Sequence, residues 1–219
     1  FMLTPSGSAV ECVQFDNAFR ICFSDPNQGI AAAQYIKNNN VASKIGVIYD
    51  SSDVYSSGIY EKFRTEAASL GLEIVSSQAF TSDSNKDFSV QLQQIKSAGA
   101  DLIFLPIYYQ EAALILTQAH NAGLETKFFG CDGLDGVIKQ LGNDAAYAEG
   151  VMLLTAYTSD SKEEKSAAFT KAYSEKYNDS NPNQFAADAY DAVYTIKVAL
   201  EKADVKDASI SASELCDLL

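Results

Sequence analysis

The stretch "TPSGSA", Thr4 to Ala9, follows the apolar run "FML" and carries the first groups that could do chemistry. A strand ending in a glycine flanked by two serines, and then entering a helix, can hold an anion. Its donors are the hydroxyls and the exposed backbone N–H groups of the first helical turn. Ser8 reads equally well as an ordinary helix N-cap. A second group lies far along the chain, where Asp132 closes the apolar run "KFFGCD" and precedes Gly133. The carboxyl ends of strands are where open α/β sheets bind ligands. The plain alternative is a cap for the helical segment starting near Asp135, a role Asp135 fills better. Aromatic residues complete the set: Tyr55 in "SDVYSSG" and Tyr108 in "LPIYYQE", both expected in loops after strands, and Phe185 in "NQFAADAY". Aromatic walls bury apolar area with little loss of entropy. Surface decoration is the alternative for a lone tyrosine in such a loop, and of the pair Tyr108–Tyr109 only one is expected to face a cleft.

The elements that must position these groups alternate strand and helix. "KIGVIYD" precedes "SGIYEKFRTEAASLG", "LEIVSSQAF" precedes "KDFSVQLQQIKSAG", "DLIFLP" precedes "YQEAALILTQAHNAG", and "KFFGCD" precedes "DGVIKQLG". Near-continuous apolar strands separated by helices predict a parallel sheet covered on both faces. Gly71, Gly99 and Gly123 stand where left-handed helix caps are expected. An earlier unit, "FRICFSDPNQGIAAAQYIKNNN", follows the same grammar, with Asp25 as N-cap, Pro26 at the first helical position and Gln28 closing a capping box. Two longer helices come later, "KEEKSAAFTKAYSEKYN" and "QFAADAYDAVYTIKVALEKA", separated by the break "DSNPN". A last helix starts in "SASELCDLL", with Ser211 as cap and Glu214 at its third position. These later helices carry apolar stripes without strands of their own to cover.

Composition excludes several classes. The chain is 47% hydrophobic, and its 16 basic against 29 acidic residues give a net charge of −13. No basic stripe suited to nucleic acid interrupts that acidity, and an anionic membrane is as poor a partner. No apolar run approaches the ~20 residues of a membrane helix. No charged-then-apolar leader with a cleavage site is visible either, but mature chains lose such leaders. Four scattered cysteines, Cys12, Cys22, Cys131 and Cys216, offer no ligand-like spacing and read as buried thiols. The single histidine, His120, falls near the end of a helix, where a cation suits the dipole. With no GxGxxG, no phosphate-binding loop and no nucleophile–base pair, an enzyme is not expected, and neither a cofactor nor a metal is implied.

The strings "TPSGSA", "FRICFSDPNQG", "VIYDSSDVYSSG", "KDFSVQLQQIK", "DLIFLPIYYQEAALILTQA", "FFGCDGLD", "EGVMLLTAYTSD" and "FAADAYDAVY", in this order, resemble the leucine/isoleucine/valine-binding family of ABC-transporter solute-binding proteins. The resemblance covers nearly the whole chain. It implies the type I periplasmic-binding fold, two flavodoxin-like α/β lobes joined by crossover strands. Lobe 2, over 25–149, is then essentially complete. Segments 1–19 and 157–219 are parts of lobe 1, and 20–24 and 150–156 are crossovers. The first βα units of lobe 1 and the family's C-terminal tail are expected to be missing, and exposed lobe 1 helices are expected to make such a piece self-associate where the full-length protein is a monomer.

The resemblance also assigns roles. Ser8 matches a hydroxyl that binds an amino acid's carboxylate, Ser6 a backbone carbonyl that helps hold its ammonium, and Gly7 a point of close backbone approach. Asp132 matches the acid that pairs with the ammonium. Tyr55, Tyr108 and Phe185 match side-chain walls, which favour aliphatic or aromatic ligands. The implied function is extracytoplasmic capture of an α-amino acid by hinge closure and delivery to a membrane permease, in the periplasm or as a cell-surface lipoprotein. Rivals on the same fold are a ligand-sensing domain of a receptor or regulator and a binder of an amide or aromatic acid.

Overall fold

The computed structural model describes residues 1–178, 180–206 and 210–219. Asp179, the first residue of the "DSNPN" break, lies outside them. The chain divides into two compact units, one of Asp25–Thr155 and one of Phe1–Ser24 with Ala156–Leu219.

Asp25–Thr155 holds a five-stranded sheet. Its helices are α1 (Asp25–Asn38), α2 (Val54–Ser69), α3 (Ser89–Ser97), α4 (Tyr109–Asn121) and α5 (Val137–Leu141). With β1 (Met2–Thr4) and β2 (Ala18–Arg20) lying in the other unit, its strands are β3 (Lys44–Asp50), β4 (Glu73–Phe80), β5 (Leu102–Leu105), β6 (Lys127–Gly130) and β7 (Met152–Leu153). The order is β4-β3-β5-β6-β7 and every pair is parallel. Relabelled from β3, that is 2-1-3-4-5, the flavodoxin order. Its first strand has neighbours whose helices lie on opposite faces, so a crevice opens between β3 and β5 at their carboxyl ends.

Side-chain alternation along the strands builds two cores. On β5, Leu102 and Phe104 join Ile45, Val47, Ile36, Ile59 and Phe63 on one face. Ile103 and Leu105 join Ile48, Phe88, Leu92, Ile95, Ile115 and Leu116 on the other. Period-2 alternation puts successive residues on opposite faces, and both faces are covered, so the strand reads as continuously apolar. Phe63 stacks on Phe104 at 4.0 Å between ring centroids. Gly29 lets α1 lie close on α2, because a Cβ there would stand 2.5 Å from the carbonyl oxygen of Ile59. Gly71, Gly99 and Gly123 have positive φ, as their cap positions require.

The other unit has the parallel pair β1–β2. Its helices are α6 (Glu164–Lys176), α7 (Gln184–Lys202) and α8 (Ala212–Leu218). Ser211 and Glu214 form the expected capping box. The helix expected after "TPSGSA" is a four-residue 3-10 turn, Val10–Val13, with Ala9 rather than Ser8 at its cap position. The two crossover segments are mostly irregular. Only Arg20 of 20–24 and Met152–Leu153 of 150–156 have strand pairing, β2 with β1 and β7 with β6.

Candidate functional site

Strand β6 ends at Gly130, and the chain turns through the 3-10 segment Asp132–Leu134. Asp132 is 4% exposed. Neither it nor Asp135 stands at the cap of α5, where Gly136 sits in a left-handed conformation without a side-chain bond. The capping alternative for Asp132 is thereby removed. Its partners come from other elements. The Tyr55 hydroxyl donates to Asp132 Oδ1 at 2.6 Å and accepts the Gly133 N–H at 2.9 Å. The Asp132 N–H donates to Gln28 Oε1 at 3.1 Å. Gly133 is required here, since a Cβ would stand 2.7 Å from both the Tyr55 hydroxyl and the Ile107 carbonyl oxygen.

Burial holds the Asp132 carboxyl above its ordinary range, while the Tyr55 hydroxyl, the Gln28 side chain and the Gly133 backbone pull the other way. Burial likewise pushes up the thiol of Cys131, with the charges of Asp132 and Asp25 adding to it. The Tyr55 phenol is raised by burial first and then by Cys131 and Asp132. Each of these shifts says that the pocket resists further negative charge. A cation placed against Asp132 would relieve it.

Tyr55 lies in the first turn of α2 rather than in a loop. Asp53 caps that helix by accepting the Ser56 N–H at 2.9 Å, which starts α2 three residues earlier than the pattern suggests. Tyr55 is also more buried than a wall residue, because its hydroxyl is engaged by Asp132 and Gly133. Tyr108, directly before α4, stacks on it at 4.7 Å with 20° between the rings and stays 44% exposed. Tyr109 turns the other way, packing on the α3–α4 core and against the space beside Gly136. Tyr108 and Tyr109 thus have different surroundings. The Tyr108 phenol is raised by partial burial and then by Asp53, Asp132, Asp25 and Glu111.

A depression of about 280 Å³ opens beside Tyr108, lined by Asp50, Ser52, Asp53, Ser56 and Glu111 among others. Its carboxylates are engaged within the lobe. Asp50 accepts from Ser52, Asp53 caps α2, and Glu111 accepts from Asn85. Asp132 differs from them in depth.

In the other unit, Ser8 is buried, while Ser6 is exposed and Gly7 half-buried. The Gly7 N–H donates to Thr4 Oγ1 at 2.9 Å, so it is turned into the chain. Arg20, unremarked in the sequence reading, donates to the Ser8 carbonyl at 2.7 Å and to that of Ala9 at 3.1 Å, fixing the loop. Phe185 is half-buried in the first turn of α7, whose cap is Asn183.

The structure thus brings together Tyr55, Tyr108 and Asp132, and adds Gln28. Gln28 does not close a capping box, because its Oε1 meets the Asp132 N–H instead. Nothing in its local spacing distinguishes the two roles, since the partner is 104 residues away.

A parallel flavodoxin-order lobe with a buried acid at the carboxyl end of a strand defines an α/β small-molecule-binding lobe. The model of the family described as periplasmic binding protein matches residues 1–214, and the chain belongs to that family. It is 28% identical over 215 residues to Leu/Ile/Val-binding protein homolog 3 of Brucella melitensis, covering 97% of this chain and 57% of that protein. It is 29% identical to the leucine-, isoleucine-, valine-, threonine- and alanine-binding protein of Pseudomonas aeruginosa, covering 94% and 54%. Among solved structures it is similar to a leucine-binding protein of Thermotoga maritima, with TM-score 0.85, 29% identity, and coverage of 99% and 60%. The branched-chain amino acid transporter substrate-binding protein of Streptococcus pneumoniae, solved in complex with isoleucine, also gives TM-score 0.85, at 26% identity over 99% and 60% of the two chains. The chain therefore spans little more than half the length of the curated relatives it matches.

Proposed function

We propose that the whole protein is an extracytoplasmic solute-binding protein of an ABC importer and that it binds an α-amino acid with an apolar side chain. One observation carries the reading. Asp132 is a buried carboxyl braced by Tyr55 and Gln28, in surroundings that resist negative charge and would welcome an ammonium. Tyr108 offers an exposed aromatic face beside it. Ser8, Ser6 and Gly7 take the carboxylate end and Phe185 adds apolar wall, as the resemblance implies. The mechanism is closure of the two lobes over the ligand, and the closed form is read by a membrane permease. The setting is the periplasm or the outer face of a cell membrane. Among the described residues no helix is long and apolar enough to cross a membrane.

A simple aromatic acid is disfavoured, since it brings no cation to Asp132. A sensing role on the same fold would use the same site and would differ only in what adjoins the binding protein. A thermal-shift screen of the full-length protein against the twenty amino acids tests the reading. Stabilisation by an aliphatic or aromatic L-amino acid, lost in Asp132→Asn, is expected. No shift with any of them, or an equal shift in the variant, would contradict it.

A further inference from the structure

Gln28 is a buried polar group that ligand contact does not account for. It sits on the inward face of α1 and is 1% exposed. Its Oε1 accepts the Asp132 N–H. Its Nε2 is buried and has no hydrogen-bond partner. Burying an amide donor without a partner is costly, so such a group calls for a use. The acceptor nearest in role is the Asp132 carboxyl, on which the Gln28 side chain already acts, favouring the ionised form against burial. The bond from the Asp132 N–H to Oε1 holds the Gln28 amide beside that residue.

The other groups facing Asp132 do not take this part. Tyr55 from α2 is committed to Oδ1 and to the Gly133 N–H. Cys131, on the end of β6, is a buried thiol whose own ionisation is opposed. Asp25, from α1, and Tyr108, ahead of α4, add negative potential or none. None of these is cationic, and Gln28 alone combines a spare donor with full burial.

Resting on the amino-acid reading above, we propose that Gln28 is a positioning residue for the ligand's ammonium. Its Oε1 fixes the Asp132 backbone, and its Nε2 is a reserve donor that closes on the Asp132 carboxylate when this ionises to receive the cation. In that state the carboxylate holds two neutral donors, from Tyr55 and Gln28, and meets the ammonium as a third. The amide thereby lowers the cost of ionising Asp132 without introducing a competing positive charge.

The test uses the full-length protein, Gln28→Met, which keeps length and removes both polar atoms, and Gln28→Leu, which removes them with a different apolar shape and adds no charge. Carbon-13 carboxyl NMR, with the Asp132 signal assigned through Asp132→Asn, reads the Asp132 midpoint without ligand. Calorimetry reads L-isoleucine affinity against pH. Both variants should raise the Asp132 midpoint by about one unit and weaken isoleucine about tenfold at pH values below that midpoint, with affinity recovering as pH rises through the new midpoint. A purely structural Gln28 would alter stability and leave the midpoint in place. An unchanged midpoint in either folded variant overturns the proposal. Should Gln28→Met fail to fold, Gln28→Leu decides. Should the wild type bind no amino acid, the ligand reading fails, and the midpoints still show whether Gln28 supports ionised Asp132.

Discussion

The two units differ in what their helices rest on. In Asp25–Thr155 the helices cover a sheet on both faces, and the largest fully buried side chains, from Ile36 to Phe129, all belong there. Among the described residues of the other unit the buried apolar ones are Cys22, Ala187, Ala192 and Ala199, and α6 buries none. Its aromatics pack on one another along the surface instead. Phe169 meets Tyr190 at 4.8 Å, and Tyr190 stacks on Tyr194 at 4.4 Å, while both tyrosines stay more than 40% exposed. A helix with an apolar stripe gains stability only from a surface that takes the stripe, and a two-stranded sheet offers little of one. In this chain, which spans little more than half the length of the curated relatives it matches, the same helical patterns meet a closed core in one unit and a two-stranded sheet in the other.

Substitutions can break or sharpen that contrast. Phe63→Ala, beneath the Phe104 ring, should have the largest effect, costing about 3–5 kcal/mol in urea unfolding. A loss under 1 kcal/mol would mean that this core is looser than its burial indicates. Tyr55→Phe should follow, at about 1–3 kcal/mol, because it strips a partner from the buried Gly133 N–H and from Asp132. Tyr108→Phe, which keeps the stacked ring, should stay within about 1 kcal/mol.

Asp132 gives a prediction with a sign. Its carboxyl titrates higher folded than unfolded, so the folded state holds the proton more tightly. Its contribution to stability should rise as pH falls from above its raised midpoint toward the ordinary carboxylate range, and be lost as pH rises. Cation binding runs the opposite way, strengthening as Asp132 ionises. Asp132→Asn should therefore leave the ligand-free melting temperature at neutral pH unchanged or higher, and lose the pH dependence of this group. A clear drop in melting temperature would show that the ionised carboxylate stabilises the fold by itself. The smallest effect is expected in the other unit, where Val193→Ser on exposed α7 should change stability by no more than about 0.5 kcal/mol.

The alternation of short apolar runs with helical periods makes the parallel lobe legible in the sequence, because both signals are local. The cap glycines and the Ser211 box are legible for the same reason. Asp132 is readable from its place after an apolar strand, and Tyr108 from its place after another. Two features are not. Asp53 lengthens α2 toward its N-terminus and moves Tyr55 from an expected loop into a helix, where its hydroxyl reaches Asp132. Gln28 meets every local requirement of a capping box, yet bonds across the sheet to a residue that only the fold brings near. Local spacing announces caps and periods, whereas partnerships over a hundred residues are set by topology.

The central claim is that Asp132 receives an ammonium. Calorimetric titration of the full-length protein with L-isoleucine and with 3-methylpentanoate, which keeps the side chain and carboxylate but lacks the amine, tests it most directly. The wild type should prefer isoleucine by at least about 100-fold, the scale expected when a buried charge loses its partner. Asp132→Asn should erase most of that preference. Equal affinities for the two compounds in the wild type, or an undiminished preference in the variant, would contradict the account.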